Sequence, residues 1–280
     1  MARPFLAIIC AAAASCAWSA DAQQDRRPLQ DAIASLRAGD AARAAELANE
    51  ALDGAAGPAP AAYWVRAQAR TELGDYQAAA TDYERLARIE PNSARASLEL
   101  GAARFRNGDM AGSISAFERV IELESDSRAR LWQLGISQYY AGDFAGCAAL
   151  FESHRTVNPQ DVENSVWHFL CGAAARGFKA AREGIIPVDR DSRVPMKEIF
   201  ALFSGSGSAR NVLDAAASVR SGGSTAPAFY AQLYLGLYYE ASGDAAKSAE
   251  HIAHAVRLKQ IGNYMWQVSR MHQKIRQRSE

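Results

Sequence analysis

Apolar positions recur at helical spacing along the chain from residue 29 onwards. In the stretch 131–159, Leu131 and Leu134 share one helix face, and Phe144 and Phe151 share the face of a second helix. Intervals of three, four and seven residues are typical of amphipathic helices. The β-branched and aromatic runs that strands favour are missing. The pattern therefore predicts an all-α fold built from paired helices.

A glycine–aspartate pair separates the two helices of each pair. Successive glycines lie 34 or 35 residues apart up to Gly177, where Phe178 replaces the aspartate. Glycine ends a helix at no steric cost in the left-handed conformation, and aspartate accepts from the N–H groups that open the next helix. The pair occurs at Gly39-Asp40, Gly74-Asp75, Gly108-Asp109, Gly142-Asp143 and Gly243-Asp244.

This period, together with small residues and helix stops at fixed positions, resembles the tetratricopeptide repeat (TPR) family. The resemblance implies a right-handed α-solenoid of TPR helix hairpins, with a concave face that binds protein or peptide partners. It divides the chain into five TPR-like repeats at 29–189, a degenerate short helical hairpin at 190–228, a last repeat at 229–260 and a C-terminal capping helix at 261–280.

Three stretches of the second half are similar to the NlpI-like group of bacterial envelope TPR proteins. They are "WHFLCGAAARG", "VPMKEIFALFSG" and "FYAQLYLGLYYEASGD". The resemblance implies an adaptor that gathers other envelope proteins, such as proteases and cell-wall hydrolases, often as a homodimer.

The first residues have the layout of a secretory signal peptide. An early arginine precedes an apolar run, and Ala20-Asp21-Ala22 matches a small-residue cleavage site. We expect a signal peptide at 1–22, a linker at 23–28 and a periplasmic or extracellular protein. A second interpretation makes Cys16 the lipid-bearing cysteine of an outer-membrane lipoprotein, the one case in which we expect contact with a membrane.

The balance of charges narrows the class of partner. Lysine plus arginine equals aspartate plus glutamate, 31 each, so no net field favours nucleic acid.

Cys147 and Cys171 lie beyond the signal peptide and could pair in an exported chain. Because both have helical surroundings and no CxxC motif is present, the sequence favours two buried free cysteines.

No motif in the sequence points to catalysis, a metal or a cofactor. His251 and His254 are three residues apart on a helix, but no third ligand stands at a recognisable spacing. We therefore expect a non-enzymatic scaffold without a cofactor. The alternative is an accessory subunit or hydrolase with its chemistry in the irregular segment 190–227.

A row of large side chains is the candidate partner-binding groove. Each tryptophan of the row stands ten residues before a repeat glycine, one position after the residue expected to pack inside its hairpin. One residue turns a helix by about 100°, so the row is expected to face the concave surface. The alternative is that these tryptophans wedge adjacent first helices together. The candidate residues are Trp64, Gln68, Leu98, Phe105, Trp132, Ile136, Tyr139, Trp167, Leu233 and Leu237.

Overall fold

The computed structural model describes residues 27–219, 225–260 and 263–277, which form helices and turns with no strand among them. The all-α prediction is confirmed for this part of the chain. The signal peptide, Cys16 and most of the linker lie outside the described residues. The first five helix pairs are α1 (Arg27–Arg37) with α2 (Ala41–Asp53), α3 (Pro60–Leu73) with α4 (Tyr76–Ile89), α5 (Ala94–Asn107) with α6 (Met110–Leu123), α7 (Trp132–Ala141) with α8 (Phe144–His154), and α9 (Val162–Arg176) with α10 (Phe178–Glu183).

The remaining helices begin inside the irregular segment 190–227. A short hairpin comes first, then a long pair, then a single last helix. They are α11 (Met196–Ser204), α12 (Ala209–Ser218), α13 (Ala226–Ala241), α14 (Ala245–Arg257) and α15 (Tyr264–Arg276), and a 3₁₀ turn (Ser125–Arg130) precedes α7.

The glycine–aspartate turns are as the sequence predicts. Gly74 has φ +80° and follows α3, and the Asp75 side chain accepts from the backbone N–H of Ala78 at 3.1 Å. The other four pairs repeat this arrangement, with positive φ at each glycine and each aspartate accepting from the N–H group three residues on. Local backbone chemistry therefore sets the repeat. The short hairpin uses another cap, because Ser208 and Asn211 form a capping box at the start of α12.

Contacts group the chain into two units, residues 1–103 and 104–280, with the boundary inside α5. In unit 1, helices α1 to α4 pack consecutively, each against the next. Its core is rich in alanine, and Ala32, Ala44, Ala48 and Ala69 have no exposed surface. Side chains this small let helix axes approach closely, so this core is thin and dense.

The core of unit 2 is larger and more aromatic, and it extends from Phe105 at the end of α5 to α15. Two glycines allow helices of one pair to touch. A Cβ atom at Gly135 would lie 2.7 Å from the Phe151 ring, and one at Gly236 would lie 2.6 Å from Ile252. No larger residue fits at either contact without a shift of the facing side chain.

A disulfide joins Cys147 of α8 to Cys171 of α9. The expectation of two free cysteines is therefore wrong. Both sulfurs lie in the buried core, and the Cα atoms are 5.9 Å apart, as a disulfide requires. Helical surroundings indicated burial of both cysteines, but the spacing along the sequence does not show that side chains on two different helices face each other.

Helix α15 packs on α14, where Trp266 Nε1 donates to the Val256 carbonyl at 3.0 Å. It also reaches earlier helices of unit 2, which the prediction of a cap on the last repeat did not include. The Tyr264 ring stacks on Phe105 at 5.4 Å and meets Trp132 edge-on at 5.1 Å. None of the helices described is long and apolar enough to cross a membrane.

Candidate functional site

The predicted row divides between the two units. Trp64, Gln68 and Leu98 belong to unit 1, and each keeps part of its side chain exposed. The first two line a groove of about 530 Å³, whereas Leu98 lies outside the residues that line it. Of the predicted row, Trp64 and Gln68 therefore line an accessible groove in this structure.

The groove runs along α1 and α3 and reaches the start of α5. Apolar side chains from α1, α3 and α4 form part of its lining, and charged side chains lie along it. The guanidinium of Arg95 lies over the Trp64 ring, 4.1 Å from its centre, which is a cation–π contact. The lining includes Ile33, Leu36, Val65 and Leu86, together with Arg37, Trp64, Gln68, Glu90, Ser93 and Arg95.

A buried carboxylate fixes the helix that carries Trp64. Asp82 of α4 is 1% exposed and accepts from Arg66 and Arg70 of α3, each at 2.6 Å. Arg66 also donates to Asn49 of α2 at 2.6 Å. These hydrogen bonds join α2, α3 and α4 and fix the position of α3 relative to its two neighbours. The repeat pattern alone does not single out Asp82, although an acid on the apolar stripe between Ala79 and Leu86 is a visible signal in the sequence.

Six residues of the predicted row are buried in unit 2, so the expectation that they face an open concave surface is wrong. Trp167 is 1% exposed and packs against Tyr139 of α7 and Phe151 of α8. Its ring thus packs between a neighbouring first helix, as the alternative interpretation expects, and the second helix of the same pair. The six are Phe105, Ile136, Tyr139, Trp167, Leu233 and Leu237.

Trp132 is partly buried and lies beside Trp167 in the lining of a separate cavity of about 280 Å³ in unit 2. Rings from α7, α9, α13 and α15 line it, and so do two carboxylates near the start of α9. The lining includes Trp132, Phe151, His154, Asp161, Glu163, Asn164, Trp167, Tyr230, Asn263 and Tyr264.

Both carboxylates of this cavity meet Arg193. Its guanidinium lies 2.6 Å from Asp161, 2.7 Å from Glu163 and 2.6 Å from Asp191. Burial raises the pKa of Glu163, and the hydroxyl of Tyr234 donates to this carboxylate at 2.6 Å. The charged groups of the irregular segment thus include an ion-paired cluster that holds it against α9.

The histidine pair of α14 is part of the helix surface. His251 Nδ1 lies 2.7 Å from Gln232 Oε1, and the ring stacks on Tyr239 at 5.4 Å. Burial lowers the pKa of His251. Within the described ranges, no group of three histidine, cysteine or acidic side chains is placed to hold a metal ion.

Comparison with known proteins agrees with this geometry. The tetratricopeptide repeat family model matches residues 29–94 and 66–128. The two matches together span residues 29–128, which is 100 of the 280 residues, and over this stretch the chain is similar to tetratricopeptide repeats. The stretch includes all the residues that line the unit-1 groove, so Trp64 and Gln68 lie on hairpins that resemble TPR hairpins. The chain has no significant sequence match among curated proteins.

Solved structures share the fold at low sequence identity. A tetratricopeptide repeat protein from Parabacteroides merdae gives a TM-score of 0.60 at 13% identity, over 90% of this chain and 98% of that one. YrrB, described as a TPR protein with an unusual peptide-binding site, gives 0.51 at 16%, over 56% and 80%. PilW, a type IV pilus biogenesis factor, gives 0.50 at 16%, over 88% and 98%. At such identities these likenesses establish the fold alone.

Proposed function

We propose that this TPR protein is a non-enzymatic adaptor that binds an extended segment of a partner protein in the groove of unit 1. The groove carries this proposal because it combines an accessible tryptophan with polar side chains on three consecutive first helices. Tryptophan and arginine are enriched among the residues that dominate binding energy. The described peptide-binding site of the TPR protein YrrB is consistent with a peptide ligand.

Charge favours an acidic segment. Arg37 and Arg95 lie along the groove and are exposed, against one acid, Glu90. Carboxylates of a bound segment could pair with both guanidinium groups, and an apolar side chain between them would contact Trp64. We therefore propose a partner segment with acidic residues around a central apolar one.

We further propose that the protein works outside the cytoplasm, in the cell envelope. The signal-peptide pattern supports export, and the disulfide between Cys147 and Cys171 supports an oxidising compartment. The likeness to NlpI-like adaptors, homodimer formation and lipid attachment at Cys16 remain predictions. The rival enzyme interpretation gains no support from Arg193 and Asp191 of the irregular segment, since the structure engages both in ion pairs.

Peptide selection on the purified protein tests the groove. A displayed peptide library would be selected on the wild-type protein alone, and the selected peptides would then be tested on the variants. We expect selected peptides to be rich in aspartate and glutamate and to lose about 2 kcal/mol of binding free energy on Trp64→Ala. Arg95→Glu should weaken the same peptides, and Arg85→Glu, an exposed change on α4, is the matched control.

Calorimetry of the selected peptides measures these losses, and circular dichroism checks that each variant is folded. Peptides that bind folded Trp64→Ala and Arg95→Glu as tightly as the wild type would show that the groove is not the binding site.

A further inference from the structure

The cavity of unit 2 combines aromatic rings with acidic side chains. Trp132, Tyr230 and Tyr264 contribute rings, and Asp161 and Glu163 contribute carboxylates. An aromatic face attracts a cation through its quadrupole, most strongly where water is excluded. Carboxylates beside the rings attract the same charge. This lining is suited to a positively charged group.

The acidic side keeps a net negative charge. One guanidinium, that of Arg193, faces the carboxylates of Asp161, Glu163 and Asp191 at 2.6 to 2.7 Å. Three carboxylates thus face one guanidinium, and burial raises the pKa of one of them, Glu163. Arg193 thus orders the carboxylates without neutralising them.

Two buried polar groups of the lining also lack a partner within the described part of the chain. Asn164 is 4% exposed and Trp167 1%, and neither Asn164 Oδ1 nor Trp167 Nε1 makes a hydrogen bond there. Native proteins satisfy most buried polar atoms, so each such atom calls for an explanation. An N–H of a ligand would satisfy the amide oxygen, and a ligand oxygen would satisfy the indole N–H.

We propose that this cavity binds a small organic ammonium ion, with its cationic head between the aromatic rings and the carboxylates of Asp161 and Glu163. Asn164 Oδ1 accepts from the ammonium group, and Trp167 Nε1 donates to a hydroxyl or carbonyl oxygen of the same molecule. At about 280 Å³ the cavity lies just below the usual range for drug-sized ligands, about 300–1,000 Å³, and has room for a small amine or a single side chain.

Calorimetric titration of the full chain with ethanolammonium chloride tests this site, which is separate from the groove of unit 1. We expect one saturable site per chain that sodium acetate does not occupy. Tyr230→Leu removes a ring and should weaken binding roughly tenfold, and Glu163→Gln should weaken it as well. The matched controls are Tyr63→Leu in unit 1 and Glu183→Gln on the exposed surface of α10, which should not change it.

A second arm separates two sources of the same head group. If a capped lysine binds at least tenfold more tightly than ethanolammonium, the ligand is a lysine side chain of a partner protein. If ethanolammonium binds more tightly than the capped lysine, the ligand is a free amine. Either order supports an ammonium site. The proposal is overturned when neither cation binds more tightly than about 10 mM, when acetate binds instead, or when folded Tyr230→Leu binds like the wild type. Glu163→Gln decides in the same way if Tyr230→Leu does not fold.

Discussion

At the residue scale, the carboxylate of Asp82 is a charged group buried in unit 1. It lies between two arginines of α3 and has almost no contact with solvent. Two oxygens accept three hydrogen bonds from Arg66 and Arg70, at 2.6 to 2.9 Å. A buried charge is tolerated only with such pairing, because removal of one partner leaves the other charge desolvated and uncompensated.

We therefore expect Asp82→Asn to lower the free energy of unfolding of unit 1 by about 3 kcal/mol, since two partly buried arginines lose their counter-charge. Urea denaturation followed by circular dichroism measures the loss. Glu84 lies two residues after Asp82 on α4 and forms an exposed pair with Arg88, so Glu84→Gln should change stability by less than about 0.5 kcal/mol. Equal effects of both variants would mean that the buried pair contributes no more than a surface pair.

Residue-scale features differ in how far the sequence predicts them. Asp75 acts as a cap because its own backbone and the next three residues decide the geometry, so a local pattern is sufficient. The burial of Trp167 depends on Tyr139 and Phe151, which belong to other helices, so spacing alone cannot give it. Trp64 was predicted at the same repeat position and remains partly exposed. The neighbours, and not the repeat position, decide which tryptophan is accessible.

At the element scale, α15 is held to α13 by a charged contact. Glu240 of α13 lies 2.9 Å from His272 Nε2 and 2.5 Å from Arg276 Nη2. Burial acts to raise the pKa of Glu240, but the hydrogen bonds and positive charges of His272 and Arg276 outweigh it and lower this pKa. The apolar stripe of α15 predicts the helix, but no pattern near it in the sequence indicates that it contacts Phe105 and Trp132.

This lowered pKa predicts an acid-sensitive attachment of α15. A carboxylate with a depressed pKa in the folded state stabilises the protein above its unfolded pKa, about 4.3, and the contribution is lost as pH falls through the folded value. The stability difference between wild type and Glu240→Gln should therefore be constant near pH 5.5 and shrink towards pH 3. Urea denaturation across that range measures it.

Glu122→Gln serves as the control for this prediction, because Glu122 forms an exposed pair with Arg119. Its stability difference from wild type should be small throughout. A Glu240→Gln difference that grows as the pH falls would contradict the assignment.

At the scale of the whole molecule, the two units differ in how they are stabilised. Unit 1 relies on a core of alanines and on Asp82, whereas unit 2 has a large aromatic core and a disulfide between α8 and α9. A cross-link stabilises mainly by restricting the unfolded chain, and the 24-residue separation of Cys147 and Cys171 corresponds to about 3 kcal/mol. Reduction should therefore affect unit 2 and leave unit 1 unchanged.

We expect protein secreted into an oxidising compartment to begin at or near Gln23 and to carry this disulfide, both of which intact-mass measurement detects.

Hydrogen exchange with and without reductant should show faster exchange in α8 and α9 and no change in α3 and α4. Cys147→Ala with Cys171→Ala should reproduce the effect of the reductant. A secreted chain that retains Met1, or faster exchange in both units on reduction, would contradict this account.

The contact between the hydroxyl of Tyr140 and His272 Nδ1, 3.1 Å apart, joins residues separated by 132 positions. In most repeat arrays each repeat touches only its neighbours, so folding can begin anywhere and spread. Unit 2 departs from this rule, because the rings of Phe105 and Trp132 contact Tyr264 of α15, a helix that is synthesised after all the other helices described. We therefore expect α1 to α4 to fold as soon as they are synthesised, whereas the aromatic core of unit 2 is completed only once α15 is present. Contacts between residues so far apart in sequence form slowly, so we expect unit 2 to fold more slowly than unit 1.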